Sequence, residues 1–243
     1  MKIVLLGYGK MGKAIEEVVN AFNKEGEEPI DIIFKFNSQN NSALTAENLQ
    51  KADVAIEFTT PATVVKNLKL CIDAGVPVVT GTTGWYDVLN EITAYCNKNN
   101  GTLLYAANFS IGVNIFFEIN KKLAELMRDR RYKIKVEETH HTQKLDAPSG
   151  TAIRIAEQII ENHHRKKSWV NRETNDPEEL EIISRRKENI PGTHEVIYTS
   201  EADEIKLAHT AFSRKGFAEG ALLAARWIKN KKGVFTINDV LGI

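Results

Sequence analysis

His140 and His141 are adjacent imidazoles, Lys144 follows His140 by four positions, and Pro148-Ser149-Gly150-Thr151 comes soon after. An imidazole titrates near neutral pH and can hand over a proton, while an ammonium pairs with carboxylates. From Thr151 onward apolar residues recur at 152, 155, 156, 159 and 160, the stripe of a one-sided helix. Asp146 or Ser149 can cap that helix. Ser149, Gly150 and Thr151 then present backbone N–H groups at its positive end, a seat for an anion. Proton donor, cation and anion seat together point to a small acidic substrate that receives a proton. A structural or solvent-facing histidine pair is the alternative. Zinc is the rival chemistry, but adjacent histidines rarely reach one metal, Lys144 repels a cation, and no HExxH or cysteine-rich companion occurs. No metal is expected.

The elements that must carry this stretch begin with Lys2-Ile3-Val4-Leu5-Leu6, a continuous apolar run suited to a strand buried on both faces. Gly7-Tyr8-Gly9-Lys10-Met11-Gly12 follows at once, and Ala14, Ile15, Val18, Val19 and Phe22 mark one face of a helix. Strand, GxGxxG and helix in that order form a dinucleotide site: a tight turn, backbone close to a pyrophosphate, and phosphate at a helix N-terminus. Residues 29–34 read as the second strand, ending in Lys35. No carboxylate stands there, and an ammonium accepts a 2′-phosphate, which favours NADPH with NADH possible; a merely solvated Lys35 is the alternative. Residues 53–58, 76–80 and 101–105 are further strands separated by helices, the alternation of a doubly wound parallel sheet. Gly81-Thr82-Thr83-Gly84 follows the fourth strand, where such sheets bind ligands, and is expected near the nicotinamide ribose.

Beyond residue 110 the pattern changes. A long helix is expected to turn Ile115, Phe116, Ile119, Leu123 and Leu126 inward, and residues 132–138 alternate with period two. Strands at 181–186, 194–199 and 204–210 have short connections and are expected to be antiparallel. The run His163 to Lys167 reads as a solvated helix end. Phe217, Ala218, Ala221, Leu222, Ala225 and Ile228 trace a last helix, after which the chain returns to the first sheet. The fold class is therefore α/β: a Rossmann-type parallel sheet with an inserted α+β substrate domain carrying a mostly antiparallel sheet. Residues 1–109 plus 216–243 form the dinucleotide-binding domain, and 110–215 the substrate-binding and oligomerisation domain. Lysine plus arginine equals aspartate plus glutamate at 32 each, so no global field recruits nucleic acid or membrane. The opening apolar run is too short for a signal peptide or a span, and Cys71 and Cys96 form no CxxC. A soluble cytoplasmic protein with reduced thiols is expected.

Taken together, the glycine loop, Gly81-Thr82-Thr83-Gly84, the Ala-Asn-Phe-Ser-Ile-Gly-Val-Asn run ending at Asn114, and His140-His141-x-x-Lys144-x-Asp146-Ala147-Pro148-Ser149-Gly150-Thr151 resemble the dihydrodipicolinate reductase family from end to end. The resemblance implies reduction of 4-hydroxy-tetrahydrodipicolinate, a cyclic dicarboxylate, to tetrahydrodipicolinate in lysine and diaminopimelate biosynthesis, with NADPH or NADH. It implies that Gly7, Tyr8, Gly9, Lys10, Met11 and Gly12 bind the pyrophosphate and that Lys35 stands near the adenosine ribose. Gly81, Thr82 and Thr83, with Ala106, Ala107, Asn108 and Phe109, would line the nicotinamide end. His140 would donate the proton with Lys144 as its partner acid, and His141, Lys144, Ser149, Gly150 and Thr151 would hold the substrate carboxylates. A homotetramer built on the substrate domains is implied as well. Two departures stand out: the family's acidic-then-basic pair after the second strand is absent, and Glu188 replaces a usual glycine between Arg186 and His194. Two rivals remain: another NAD(P)-dependent oxidoreductase of an amino or keto dicarboxylate, and a non-catalytic nucleotide-sensing regulator.

Overall fold

The computed structural model describes residues 1–26 and 28–243, with Asn41 described by its backbone alone. The elements run β1 (Lys2–Leu6), α1 (Lys10–Lys24), β2 (Asp31–Phe36), α2 (Ala46–Leu49), β3 (Val54–Glu57), α3 (Pro61–Asp73), β4 (Val78–Thr80), α4 (Leu89–Lys98) and β5 (Thr102–Tyr105). Then follow α5 (Ile111–Met127), β6 (Lys133–His140), α6 (Gly150–Asn162), β7 (Ser168–Val170), β8 (Glu179–Arg186), β9 (Gly192–Thr199) and β10 (Glu204–Ala211). The chain ends with α7 (Lys215–Ile228), β11 (Gly233–Thr236) and α8 (Ile237–Leu241). It divides into two compact units: Met1–Ile111 with Arg214–Ile243, and Gly112–Ser213.

The first unit is a six-stranded parallel sheet in the order β11-β5-β4-β3-β1-β2. Its strands are apolar on both faces because each face meets helices. Ile3 and Leu5 pack into one core with Ile15, Val19 and Ala221, while Val4 and Leu6 pack into another with Val64, Leu68 and Ile92. The register aligns Leu6 with Glu57, Glu57 with Thr80 and Thr80 with Tyr105. The turns that follow those residues therefore leave from one edge of the sheet. The second strand extends two residues further than periodicity indicated: the amides of Gly7 and Tyr8 both donate to the Phe36 carbonyl at 3.0 Å. Lys35 thus lies inside the strand, and Asn37 is the first residue beyond it.

The second unit is a five-stranded sheet in the order β10-β9-β6-β8-β7. β9 is antiparallel to both of its neighbours, whereas β8 is parallel to β6 and to β7. The hairpin expected between β8 and β9 does not form, because β6 takes the place between them. β7 lies in a stretch with too few residues for an alternating pattern to register. The helix α5 also differs from expectation: Val113, Phe116, Asn120, Ala124 and Met127 are buried, whereas Ile115, Ile119 and Leu126 are exposed. Both stripes are apolar at helical spacing, and the Asn120 amide selects the first by donating to Ile155 O and Gln158 Oε1, each at 3.1 Å. The expected solvated end of α6 is only partly so, since His163 and Lys166 are buried and Lys166 donates to the Glu179 carbonyl at 2.6 Å. Among the described residues no helix is long and apolar enough to cross a membrane, and Cys71 and Cys96 are free and buried.

α7 packs on the first sheet through small residues. A Cβ on Gly220 would sit 1.8 Å from the Phe109 carbonyl oxygen, a backbone atom that cannot yield. Gly220→Ala is expected to lower stability by about 1–3 kcal/mol or more through overpacking. Urea unfolding measures it, and an unchanged midpoint would mean that α7 sits further from residue 109.

Candidate active site

In the first unit the chemistry starts from backbone shape. Gly7 has φ +94°, and a Cβ there would meet the Phe58 carbonyl at 2.0 Å; a Cβ on Gly12 would meet the Gly7 carbonyl at 2.6 Å. Only glycine allows β1, its turn and α1 to approach so closely. Nothing lies within 4 Å of the corresponding position on Gly9, so its backbone is open. Lys10 and Met11 begin α1, whose N-cap is Gly9. A groove of about 670 Å³ runs along these residues, lined by Gly7, Tyr8, Gly9, Asn37, Ser38 and Thr59 among others. Size, apolar floor and open amides fit the diphosphate and adenosine of a dinucleotide.

Lys35 is directed elsewhere. It pairs with Glu16 on α1, which also accepts a hydrogen bond from the Tyr8 hydroxyl, and the ammonium lies 5.1 Å from the Tyr8 ring centroid. The Lys35 bond holds the Glu16 carboxyl below its ordinary range, with Tyr8 adding to it, and Glu16 in turn raises Lys35. Asn37 and Ser38, which sequence reasoning passed over, face the groove instead. The signal that would have found them is the strand register and not the residue types.

Beside the groove, Gly81 leaves no room for a Cβ, which would meet the Phe58 ring at 2.0 Å. Thr82 is buried: its hydroxyl accepts from Thr59 N at 2.9 Å, and its carbonyl accepts from the Trp85 indole at 2.8 Å. Thr83 is exposed. Beneath the turn the wholly buried Glu57 accepts from the Thr80 hydroxyl at 2.6 Å, from Thr59 N at 3.2 Å and from the Thr59 hydroxyl. Of the segment after β5, Ala107 is exposed and Asn108 half-buried, whereas Ala106 and Phe109 are core residues. The Phe109 ring packs edge-on against Phe58, with centroids 5.8 Å apart.

In the second unit, alternation along β6 puts Ile134, Val136, Glu138 and His140 on its buried face, under α6. Glu138 Oε1 accepts from Ser149 N at 3.0 Å and from both terminal nitrogens of Arg186 at 3.5 Å. Its Oε2 lies 3.1 Å from His140 Nδ1 and 3.9 Å from His194 Nε2. Burial alone would raise the Glu138 carboxyl, yet bonds with His140, Ser149 and Ser184 outweigh it and hold the group far below the carboxylate range. Burial likewise pushes His194 down to about 3, with the nearby His140 adding to the effect, so His194 is neutral. The His140 and His194 rings meet edge-on at 5.0 Å. Gly192 lies against the other side of His140: a Cβ there would be 3.0 Å from Nε2.

The loop after β6 is held by Arg186, whose Nε donates to the Lys144 carbonyl at 3.3 Å and whose Nη2 donates to the Asp146 carbonyl at 2.5 Å. The Lys144 ammonium pairs with Asp146 at 2.9 Å, and Lys144 N donates to His141 O at 3.1 Å. Of the two caps considered, Ser149 is the one used: its hydroxyl accepts from Ala152 N at 3.2 Å and meets His194 Nε2 at 3.2 Å. That hydroxyl is buried and committed. Gly150 is exposed and Thr151 half-exposed at the start of α6, where amides lack intrahelical acceptors. His140, His141, Lys144, Gly150 and Thr151 thus belong to one loop and its flanks. Glu138, the residue that joins them to the core, was missed from sequence, although its parity with His140 was visible.

The sequence model described as "Dihydrodipicolinate reductase, N-terminus" matches residues 1–109, and that described as "Dihydrodipicolinate reductase, C-terminus" matches residues 112–241. A 4-hydroxy-tetrahydrodipicolinate reductase of Christiangramia forsetii is 46% identical, covering 99% of this chain and 98% of its own. One from Neisseria gonorrhoeae is 31% identical, covering 100% and 98%. Among solved structures, a dipicolinate-bound dihydrodipicolinate reductase from Paenisporosarcina sp. TG-14 superimposes with a TM-score of 0.77 at 24% identity, covering 97% of each chain. That last likeness concerns the fold.

The electrostatics of the second unit give a pH dependence of stability. Below about pH 6.5 the unfolded chain protonates at His194 while the folded one does not until about 3, so stability falls as pH falls. The depressed Glu138 carboxyl has the same sign at lower pH, below the ordinary carboxylate range. His194→Gln is expected to flatten the decline between neutral pH and about pH 5 by up to one proton, ~1.4 kcal/mol per pH unit. Urea midpoints read it, and an unaltered slope would show that His194 protonates freely in the fold.

Proposed function

The chain belongs to the dihydrodipicolinate reductase family, and on that premise we propose how its residues reduce 4-hydroxy-tetrahydrodipicolinate to tetrahydrodipicolinate, the reduction step of lysine and diaminopimelate biosynthesis. Residues 1–109 and 216–243 hold NAD(P)H, and residues 110–215 hold and protonate the cyclic dicarboxylate. The observation that carries this reading is the gathering of a buried imidazole, an ammonium and a helix N-terminus on one loop at the end of β6.

The 4-hydroxyl leaves as water to give a conjugated, imine-containing ring, and when bound the reduced nicotinamide would supply hydride to its electron-poor carbon. His140 gives the proton that neutralises negative charge as it builds on the adjoining atoms, with Lys144 as partner acid. Lys144 exchanges Asp146 for a substrate carboxylate, joined by His141 and by the amides of Gly150 and Thr151 at the positive end of α6. Ser149 serves as the cap that shapes this seat. On the cofactor side the open amide surface at Gly9 takes the pyrophosphate, and Gly81, Thr83 and Ala107 meet the nicotinamide end through backbone and exposed atoms.

For the adenosine ribose, Asn37 and Ser38 are the better-placed residues, supported by their lining of the groove and by the Glu16 partner of Lys35. Neither carries charge, so neither forms an ion pair with a 2′-phosphate, and NADH and NADPH are expected to differ in kcat/KM by less than about tenfold, ~1.4 kcal/mol. Lys35→Ala should leave the ratio unchanged; loss of NADPH activity alone would put Lys35 at that phosphate. We extend the reading to a cytoplasmic protein and to a homotetramer, the latter supported by the exposed apolar Ile115, Ile119, Leu126, Ile205 and Phe212 and by the outer edge of β10, unpaired among the described residues.

His140→Ala is expected to lower kcat by about 10²–10⁴-fold with KM for the dicarboxylate little changed. Lys144→Ala should raise KM and lower kcat together. Steady-state rates followed by nicotinamide absorbance decide both, and a wild-type kcat for His140→Ala would remove the proposed acid.

A further inference from the structure

Glu138 has so far been given no part in the chemistry, yet it is a carboxylate 1% exposed on the apolar face of a central strand. A charge so placed persists only when its oxygens are answered. Oε1 is: it takes Ser149 N and the Arg186 guanidinium. Among the described residues neither Oε2 nor His140 Nδ1 has a hydrogen bond of good geometry; both atoms are buried and face each other at 3.1 Å, with His194 Nε2 further off at 3.9 Å from Oε2. His194 has its own partner in the Ser149 hydroxyl. The donor atoms of Glu138, His140 and His194 lie within 4.8 Å of one another, but the guanidinium on the same carboxylate opposes a cation there.

We propose that Glu138 is the positioning residue for His140: Oε2 accepts the Nδ1–H, which fixes the tautomer and leaves Nε2, beside Gly192, as the atom that carries the mobile proton. The assignment rests on His140 being the acid of the reduction. Two effects follow from the contact. The ring is held in one orientation between Glu138 and Gly192. The Arg186 tether keeps the carboxylate in place and ionised, so that it orients the ring without taking its proton. The charged and titratable groups around the pair are Glu138 on β6, Arg186 on β8, His194 on β9 and Lys144 in the following loop; burial keeps His194 neutral, so it does not compete.

The test joins kinetics to ¹⁵N NMR of the histidine rings, with His140 assigned by difference against His140→Asn. In the wild-type protein the neutral His140 should be the Nδ1–H tautomer, a result that requires no variant to fold. Glu138→Gln should lower kcat by about 10–1,000-fold with KM within about threefold. Glu138→Asp, which keeps the charge, should retain more of kcat than Glu138→Gln. Glu138→Gln combined with His140→Ala should be no slower than His140→Ala alone, because the first residue acts only through the second. A wild-type Nε2–H tautomer, or losses that multiply in the double variant, would each overturn the assignment. A His140→Ala enzyme with normal kcat would instead remove the acid role, and the tautomer would still report whether Glu138 holds the ring.

Discussion

One buried charge organises the second unit. The Glu138 carboxylate joins β6 to β8 through Arg186, to α6 through Ser149 N, and to His140 on its own strand. Removing one partner from such a cluster typically costs about 3–5 kcal/mol, because the remaining charge is stranded in apolar surroundings. The loop from His141 to Ser149 therefore has little freedom in how it leaves the sheet. Arg186 completes the constraint by binding two carbonyls of that loop, at Lys144 and Asp146. Five N–H donors in a fixed fork suit this task, which a lysine at the same place would not perform.

The first unit uses a related arrangement for a different end. Glu57 is also a wholly buried carboxylate at the end of a central strand, and it is answered by neutral hydroxyls and an amide from Thr59 and Thr80. Thr59 then binds Thr82, which fixes the Gly81-Thr82-Thr83 turn above it. Steric demands finish the work: Gly7, Gly12 and Gly81 each lie where a Cβ would overlap backbone or an aromatic ring. Charge burial sets the loops, and missing side chains leave space for a dinucleotide to lie on them.

What the sequence disclosed follows from which interactions are local. The glycine loop, the parallel alternation and the last helix were legible because each depends on spacing within one segment. The end of β2 was not, since the Phe36 carbonyl is drawn into the sheet by amides of the β1 turn, so that Lys35 lies inside the strand and Asn37 just beyond it. The buried face of α5 was not, since two apolar stripes compete and Asn120 chooses between them through α6. The pairing of β8 with β6 was not, because short connections favour hairpins and nothing near residues 186–192 announces an intervening strand. Glu138 shares parity with His140, but that it is buried and bonded follows only from Ser149 and Arg186, distant in sequence.

Membership of the dihydrodipicolinate reductase family gives this arrangement its purpose. A proton donor is useful only if it keeps one orientation and one tautomer through many turnovers, and in the role proposed for His140 the carboxylate beneath it would supply both constraints. A crystal structure of the chain with NAD(P)H and pyridine-2,6-dicarboxylate tests this most directly. His140 Nε2 should lie within hydrogen-bond reach of the ligand while Nδ1 remains on Glu138. An imidazole turned away from the ligand, or one that has left Glu138 to reach it, would contradict the central claim.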